Sequence, residues 1–405
     1  MANNINDTEK LERVPHDSAL NYDEDYIKQR RNWISEKIKI QLNHIAHYSI
    51  AGSDARGNIE NFIGVAQIPL GLMGPLLVNG DHAKGIFFVP MATTEGALVN
   101  TYLRGAVALT KAGGVRVFVT KDANHLDPVF ILKSIDEARG FVKWINDNFK
   151  RIKEKAESTT HFGKLESITP YIIGRRVTLD VAYYTSDAMG ANMIAIATEE
   201  VCKFISQETK AMKYFLRSNF SSEKKASAVN LLIGYGKEVS VEATVPRKII
   251  VRYLNTTPEE IQQLWYSCAL SGFSSGMFGI NAHFGNGLAA IFAACGQDLA
   301  HVSNASVGVQ SFEITENGDL YMFLRLPNII IGTIGGGTAL GTQKECLDIL
   351  GCYGHDKAMK FAEIIGATLL AGELGICAGI TSEHFLDPHK RARIHTREKA
   401  YSDKG

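Results

Sequence analysis

Four ionisable side chains, Glu95 in MATTEGAL, Lys224 in SSEKKAS, Asp298 in ACGQDLA and His389 in LDPHK, sit among small residues and glycines, a setting in which a side chain can face a cleft. Two carboxylates, an ammonium and an imidazole are groups that acid–base and electrostatic catalysis draws on. Taken singly, each also has an ordinary reading: Glu95 as a first-turn carboxylate favoured by a helix dipole, Lys224 as a solvated loop lysine, Asp298 as a capping carboxylate and His389 as one histidine of an exposed tail. Two glycine-bearing segments add a second signal. GTIGGGT (332–338) places a side-chain-free loop after an apolar strand, where backbone N–H groups can approach a phosphate or a substrate, although tight strand-to-helix packing explains the same glycines. DAMGAN (187–192) leads from strand to helix and can offer a helix N-terminus to a dinucleotide pyrophosphate, without the G-x-G-x-x-G spacing of a Rossmann domain.

The elements that must position these groups follow from periodicity. Residues 26–47 carry isoleucines and Trp33 among lysines and arginines and predict an amphipathic helix. GIFFVPM predicts a buried strand, and Thr94 to Ala112, stopped by Gly113-Gly114, predicts a helix followed by the strand VRVFVT. Between Pro128 and Arg217 a helix, strands around ITPYIIGRRVTLDVAYY and a helix from Gly190 read as a small α+β unit inserted in a larger one. KEVSVEATVP predicts a strand, a small-residue helix starts at Ile261, and the last helix runs from Lys357 to about Glu383 before the basic tail HKRARIHTREK.

Composition bounds the function. The 405 residues are 45% hydrophobic and 21% charged, enough for a large core plus a subsidiary domain, which excludes a disordered chain. Lys plus Arg and Asp plus Glu both total 43, so no bulk field favours nucleic acid or an anionic membrane. No run approaches the roughly 20 consecutive apolar residues of a membrane span, and the polar start is unlike a secretory signal; the expectation is a soluble, cytoplasmic chain. The six cysteines lack a C-x-x-C spacing and are expected as reduced, mostly buried thiols, with no metal site.

In chain order, ENFIG (60–64), IPLGLMGPL, PMATTEGALV, DAMGANM, EKKASAVN, INAHFGN, ACGQD, GTIGGGT and AGEL resemble the hydroxymethylglutaryl-CoA reductase family, over residues from about 56 to 395. The lysine loop and DAMGAN are closer to its eukaryotic and archaeal class than to its bacterial one. The resemblance implies an α+β fold with an N-terminal helical segment (1–55), a large mixed α/β substrate, CoA and catalytic domain (56–127 and 218–405) and an inserted small dinucleotide-binding domain (128–217). It implies reduction of a CoA thioester to an alcohol by two hydride transfers from NADPH, through a hemithioacetal and an aldehyde. Glu95, Lys224, Asp298 and His389 become the catalytic tetrad: Lys224 steadies the oxyanion, Glu95 donates a proton, Asp298 tethers the lysine, and His389 protonates the departing thiolate. Asp187, Met189, Gly190, Asn192, Thr160, His161, Gly335 and Gly336 fall to the cofactor, and Arg104, Lys225, Tyr266, His283 and Asn286 to the substrate. ENFIG is a subunit-contact motif of the family, implying a homodimer or an assembly of dimers.

The chain also departs from the family pattern. Asn124 or His125 stands where an arginine is expected, and Tyr266 where a lysine is expected, both around the distal carboxylate of the acyl group; Lys225 is retained. Glu223 replaces an aspartate, Ala226 a proline and Leu103 an asparagine, while Thr160 and His161 replace a serine and an arginine near the adenosine phosphate. These changes set up two alternatives, an acyl thioester without the distal carboxylate and NADH as cofactor. A catalytically silent CoA- or dinucleotide-binding relative is the third reading, opposed by retention of the tetrad.

Overall fold

A computed structural model describes residues 13–160 and 162–382. Twelve helices appear among them: α1 (Glu24–Ile38), α2 (Leu98–Lys111), α3 (Ile135–Asp147), α4 (Phe149–Glu157), α5 (Ala191–Glu208), α6 (Ala228–Leu232), α7 (Arg247–Ile249), α8 (Pro258–Ser274), α9 (Phe284–Ala294), α10 (Val302–Ala305), α11 (Gly341–Ile349) and α12 (Ala358–Thr381). The strands are β1 (Leu70–Gly80), β2 (Lys84–Ala92), β3 (Val115–Leu126), β4 (Val129–Ile131), β5 (Lys164–Ile173), β6 (Arg176–Tyr184), β7 (Lys213–Phe215), β8 (Gly236–Val245), β9 (Val309–Ile314) and β10 (Leu320–Ile329). The mixed α and β class expected from the sequence is the one observed.

Strand β3 joins two sheet regions. Its first part, Arg116 to Ala123, pairs antiparallel with β8, and Val115 to Val117 pair parallel with β1. Its last residues, Asn124 to Leu126, pair instead with β6. Each region has its own buried cluster. The larger gathers Tyr102, Leu109, Val117, Val241, Phe284, Phe292, Phe361 and Leu370, and the smaller gathers Leu126, Phe130, Phe141, Leu179, Val181, Val201 and Ile205. A third, of Ile27, Ala55 and Phe62, holds the N-terminal segment.

α12 is the core helix of the larger cluster. At 24 residues it is long and apolar enough to cross a membrane, although Lys360, Glu363 and Glu373 interrupt it; 83% of its apolar window is buried inside the molecule, as in the core helix of a globular domain. It crosses α2 at backbone distance. A Cβ on Gly105 would lie 1.8 Å from the Ala371 carbonyl, and one on Gly375 would lie 2.0 Å from the Thr101 carbonyl. Only glycine permits that approach, so the crossing fixes how α2 presents its preceding loop.

Several expectations need correction. The first helix ends at Ile38, where Lys39 turns left-handed (φ 57°), rather than running to 47. The Thr94–Ala112 helix begins only at Leu98, after Ala97 at φ 70°, so Glu95 is a loop residue and not a first-turn carboxylate. β2 is buried only in its second half, with Ile86 and Phe88 exposed. The helix expected through 134–158 breaks at Asn148 into α3 and α4. All six cysteines are free; Cys268 is exposed and the other five are buried, as read from the sequence.

Candidate active site

Glu95, His283 and Asn286 gather at one end of α9, and Lys224, Lys225 and Asp298 past the other. At its N-terminal end, Asn286 donates to the Glu95 carboxylate (2.8 Å) from the first helical turn. His283, one residue before the helix, is held from below by Glu373 of α12, which is fully buried. Glu373 accepts the N–H groups of Ala282 (2.7 Å) and His283 (2.8 Å) and faces His283 Nδ1 at 3.3 Å. The other ring nitrogen, Nε2, is buried without a hydrogen-bond partner among the described residues. Tyr102 stacks on the imidazole, with centroids 5.1 Å apart, and donates to the His283 carbonyl. Gly287 and Gly372 make room for it, since a Cβ on either would collide with the Tyr102 ring or hydroxyl. Burial first, then the Glu373 and Glu95 charges, raise the Tyr102 pKa well above 10.0, so it stays a neutral donor. Nothing in AGEL itself announces the role of Glu373; its one signal in the sequence is a lone carboxylate inside a long apolar helix.

Past the other end of α9, Lys224 Nζ meets Asp298 Oδ2 at 2.6 Å, and Asp298 also accepts the Ala300 N–H. Burial pushes the Asp298 carboxyl up, but the Lys224 and Ala300 hydrogen bonds and the Lys224 charge outweigh it, so its pKa falls below 3.8 and the pair is ionic at neutral pH. Lys224 and Lys225 border a cleft of about 300 Å³ together with Asp127, Arg217, Asn219, Ser221 and Glu223. Within it Arg217 forms an ion pair with Glu223, and Lys225 Nζ donates to the Glu223 carbonyl.

Behind the pair lies His301, 1% exposed, with Nδ1 on Asn304 and Nε2 4.0 Å from Glu223. Burial holds its pKa below 6.5, against the Asp298 charge, the Asn304 bond and the Glu223 charge, which raise it. With the folded-state value depressed, the unfolded chain binds a proton that the native one refuses. Native stability therefore declines as pH drops below 6.5, until the folded-state value is also passed. His301→Gln removes this term, and between pH 7 and pH 5 the variant's Tm should fall less than wild type's by about 1–3 °C, read by thermal melts across that range.

DAMGAN and GTIGGGT form one ledge. Ala188 and Ile334 make a parallel bridge, and Thr333 N–H donates to the Asp187 carbonyl (2.9 Å). The Asp187 carboxylate accepts three backbone N–H groups, from Asp356, Lys357 and Ala358, tying this ledge to the start of α12. Met189 offers its carbonyl to Asn124 Nδ2 (2.7 Å), so Asn124 serves the ledge. Gly190 (φ 83°) precedes α5, with Asn192 exposed in the first turn. Gly335 and Gly336 adopt φ 75° and 55°, and the space where their side chains would stand is open. Gln297, next to Asp298, clasps Gly332 through both its amide atoms (2.8 and 3.0 Å), so the Lys224–Asp298 pair and the ledge share one wall. Thr160 accepts the N–H groups of Phe162 and Gly163 and touches Met193 at the foot of α5.

Other predicted residues lie apart from these places. Arg104 on α2 donates to the Leu254 carbonyl, and burial lowers its pKa. Tyr266 faces outward from α8, on a stripe with Leu270, Phe273 and Met277. His125 turns away from Asn124 and pairs with buried Asp180 (2.7 Å). His161 and His389 lie outside the described residues. Among the described residues no group of three metal-ligating side chains occurs.

The lysine–carboxylate pair and the glycine-rich ledge at a helix start stand side by side, and comparison with known proteins gives the family. The profile of hydroxymethylglutaryl-coenzyme A reductase matches residues 26–394. The 3-hydroxy-3-methylglutaryl-coenzyme A reductase of Pyrococcus abyssi is 44% identical over 370 residues, covering 89% of this chain and 91% of the relative. That of Methanocaldococcus jannaschii is 45% identical over 369 residues, with the same coverage. The structure of the class II enzyme from Streptococcus pneumoniae, bound to NADPH in open conformations, superposes with a TM-score of 0.68 at 18% identity, covering 88% of this chain and 97% of that one; it establishes the fold. The chain belongs to the hydroxymethylglutaryl-coenzyme A reductase family, a family of NAD(P)H-dependent oxidoreductases.

Proposed function

We propose that this chain reduces hydroxymethylglutaryl-CoA to mevalonate with NADPH, in a site that two copies of the chain complete. The observation that supports this most directly is the Lys224–Asp298 pair fixed by Gln297 against the glycine ledge. The relatives named for this substrate, at 38–45% identity, favour it over a thioester lacking the distal carboxylate.

The ledge suits a dinucleotide. Gly335 and Gly336 leave backbone open to close approach, and the N-terminus of 18-residue α5, with Asn192 beside it, suits a pyrophosphate. When bound, NADPH supplies hydride. Overall, two hydrides and two protons convert the thioester to a primary alcohol and free CoA thiol, the C–S bond breaking between the two reductions. Lys224 donates to the carbonyl oxygen as negative charge grows there, and Asp298 holds the ammonium in place. Glu95, oriented by Asn286, delivers the proton to that oxygen, and His283 aims Nε2 at the acyl group. Arg217 and Lys225 supply cations for the distal carboxylate. His389 protonates the thiolate.

Glu95 and Lys224 belong to different ends of α9. Asn286 lies in its first turn and Asp298 four residues beyond its last, separated by about 12 Å of helix. Among the described residues no hydrogen bond or ion pair joins Glu95 to Lys224 or Asp298. Apolar side chains stay exposed on α8, with Phe273 at 85%, and on β1 and β2 at Leu70, Leu72, Ile86 and Phe88. Surface of that kind marks an interface. A two-fold pairing that sets Glu95 of one copy against Lys224 of the other covers these residues and completes the site.

The test is the initial rate of NADPH and NADH oxidation with hydroxymethylglutaryl-CoA and with acyl-CoAs lacking the second carboxylate. Mevalonate formed with two NADPH consumed per thioester is expected. Turnover confined to the other thioesters would overturn the substrate, and preference for NADH would overturn the cofactor.

A further inference from the structure

Asp127 has no part in the chemistry described above, yet it is only 2% exposed and follows directly on β3. Among the described residues its hydrogen bonds all reach one short segment, 218–221. One carboxylate oxygen accepts Ser218 N–H (3.0 Å), Ser218 Oγ–H (2.7 Å) and Phe220 N–H (2.5 Å), and the other accepts Ser221 Oγ–H (2.6 Å). No lysine or arginine among them forms an ion pair with it, so four dipoles rather than a cation hold this buried charge. The segment leads straight into the loop that carries Lys224.

That loop is conformationally costly. Asn219, Ser222 and Lys224 all take left-handed backbone angles, with φ of 66°, 53° and 59°, and none is glycine. Such angles persist only where the surroundings over-determine them. The surroundings here are two anchors: Asp127 holds 218–221 from one side, and fully buried Asn230 donates to the Ser221 carbonyl (3.3 Å) from the other. Between them the turn bonds Ser222 N–H to Asn219 O and Lys225 N–H to Ser222 O brace the chain, with the Arg217–Glu223 ion pair and the Lys225 Nζ bond to the Glu223 carbonyl on its open side. The anchored geometry sets where Lys224 Nζ meets Asp298.

We propose that Asp127 is a positioning residue for Lys224: by gathering the four donors of 218–221 it enforces the left-handed loop and so fixes the ammonium at the reacting oxygen. The kinetic part of this inference rests on the reductase reading above; the placement of Lys224 does not.

Asp127→Asn keeps the shape but turns one acceptor oxygen into an NH₂ donor facing N–H and O–H donors. Misplacement of a catalytic group by about 1 Å costs on the order of 100-fold, so kcat is expected to fall by about 30-fold to 300-fold, with KM for the thioester and Kd for NADPH within about threefold of wild type. A second readout needs no turnover. Trace amine acylation followed by peptide mass spectrometry measures the labelling of Lys224 relative to Lys225, and in Asp127→Asn that ratio should rise several-fold as the ion pair with Asp298 loosens. Ser218→Ala/Ser221→Ala, which removes two of the donors and leaves the carboxylate, should shift both readouts in the same direction by less, and it decides the matter if Asp127→Asn fails to fold. A kcat within about threefold of wild type, or an unchanged labelling ratio in a folded variant, would overturn the assignment. If wild-type protein does not reduce the thioester, the reductase reading fails while the labelling ratio still tests the placement.

Discussion

Lys224→Met lowers kcat on hydroxymethylglutaryl-CoA by about a thousandfold to ten-thousandfold while leaving NADPH affinity within about threefold. The magnitude comes from two terms. Loss of a single neutral donor at a developing oxyanion costs about 100-fold to 1000-fold in well-studied hydrolases, and a charged donor forms a bond roughly twice as strong. Removing the ammonium also leaves Asp298 unpaired in a partly buried place, close to an oxygen that is itself becoming negative. The ledge contains no Lys224 atom, since it is built from 187–190 and 332–336, so cofactor binding is spared. Steady-state kinetics with fluorescence titration of NADPH checks the split. A variant retaining more than about a tenth of wild-type kcat would remove Lys224 from the oxyanion role.

Mixing two inactive variants restores activity, which is the second large effect. Glu95→Gln and Lys224→Met each disable both sites of a homodimer if every site takes Glu95 from one copy and Lys224 from the other. In a mixed dimer one site carries both lesions and the other carries neither. Random reassortment of equal amounts makes half the dimers mixed, each with one intact site, so about a quarter of wild-type activity returns. Rate measurement on the reassorted mixture reads this quarter, and mixed dimers isolated by co-expression with two different affinity tags and tandem purification should show about half of wild-type activity. If one chain closed its own site, every site in the mixture would carry a lesion and activity would stay at the level of the single variants. The prediction rests on the proposed pairing of Glu95 of one copy with Lys224 of the other.

These expectations draw on two levels of information that part company at identifiable residues. The order of motifs, the strand β8, the helix α5 after DAMGAN and the long terminal helix were legible because they depend on local patterns: apolar periodicity, a glycine turn, β-branched runs. Glu95, Lys224 and Asp298 stood out by the small residues and glycines around them, while the catalytic roles proposed for them come from the family resemblance. Boundaries failed where a non-glycine residue turns left-handed, at Lys39 and Ala97, because nothing in a single sequence announces that angle.

Partnership was decided only by the folded chain. Glu373 lies 90 positions from His283, Asp127 lies 91 from Ser218, and Gln297 lies 35 from Gly332; each pair is joined by a buried polar bond. Burial strips such groups of water, and the penalty for an unmatched donor or acceptor forces them together wherever the packing of α12, β3 and α9 brings them. The sequence by itself determined which chemistry is available and roughly on which elements. Tertiary packing decided that Asn124 serves the ledge while His125 turns to Asp180, that Tyr266 faces outward, and that Glu95 and Lys224 stand at opposite ends of one helix, because long-range contacts depend on the three-dimensional crossing of elements, of which a linear pattern carries no record.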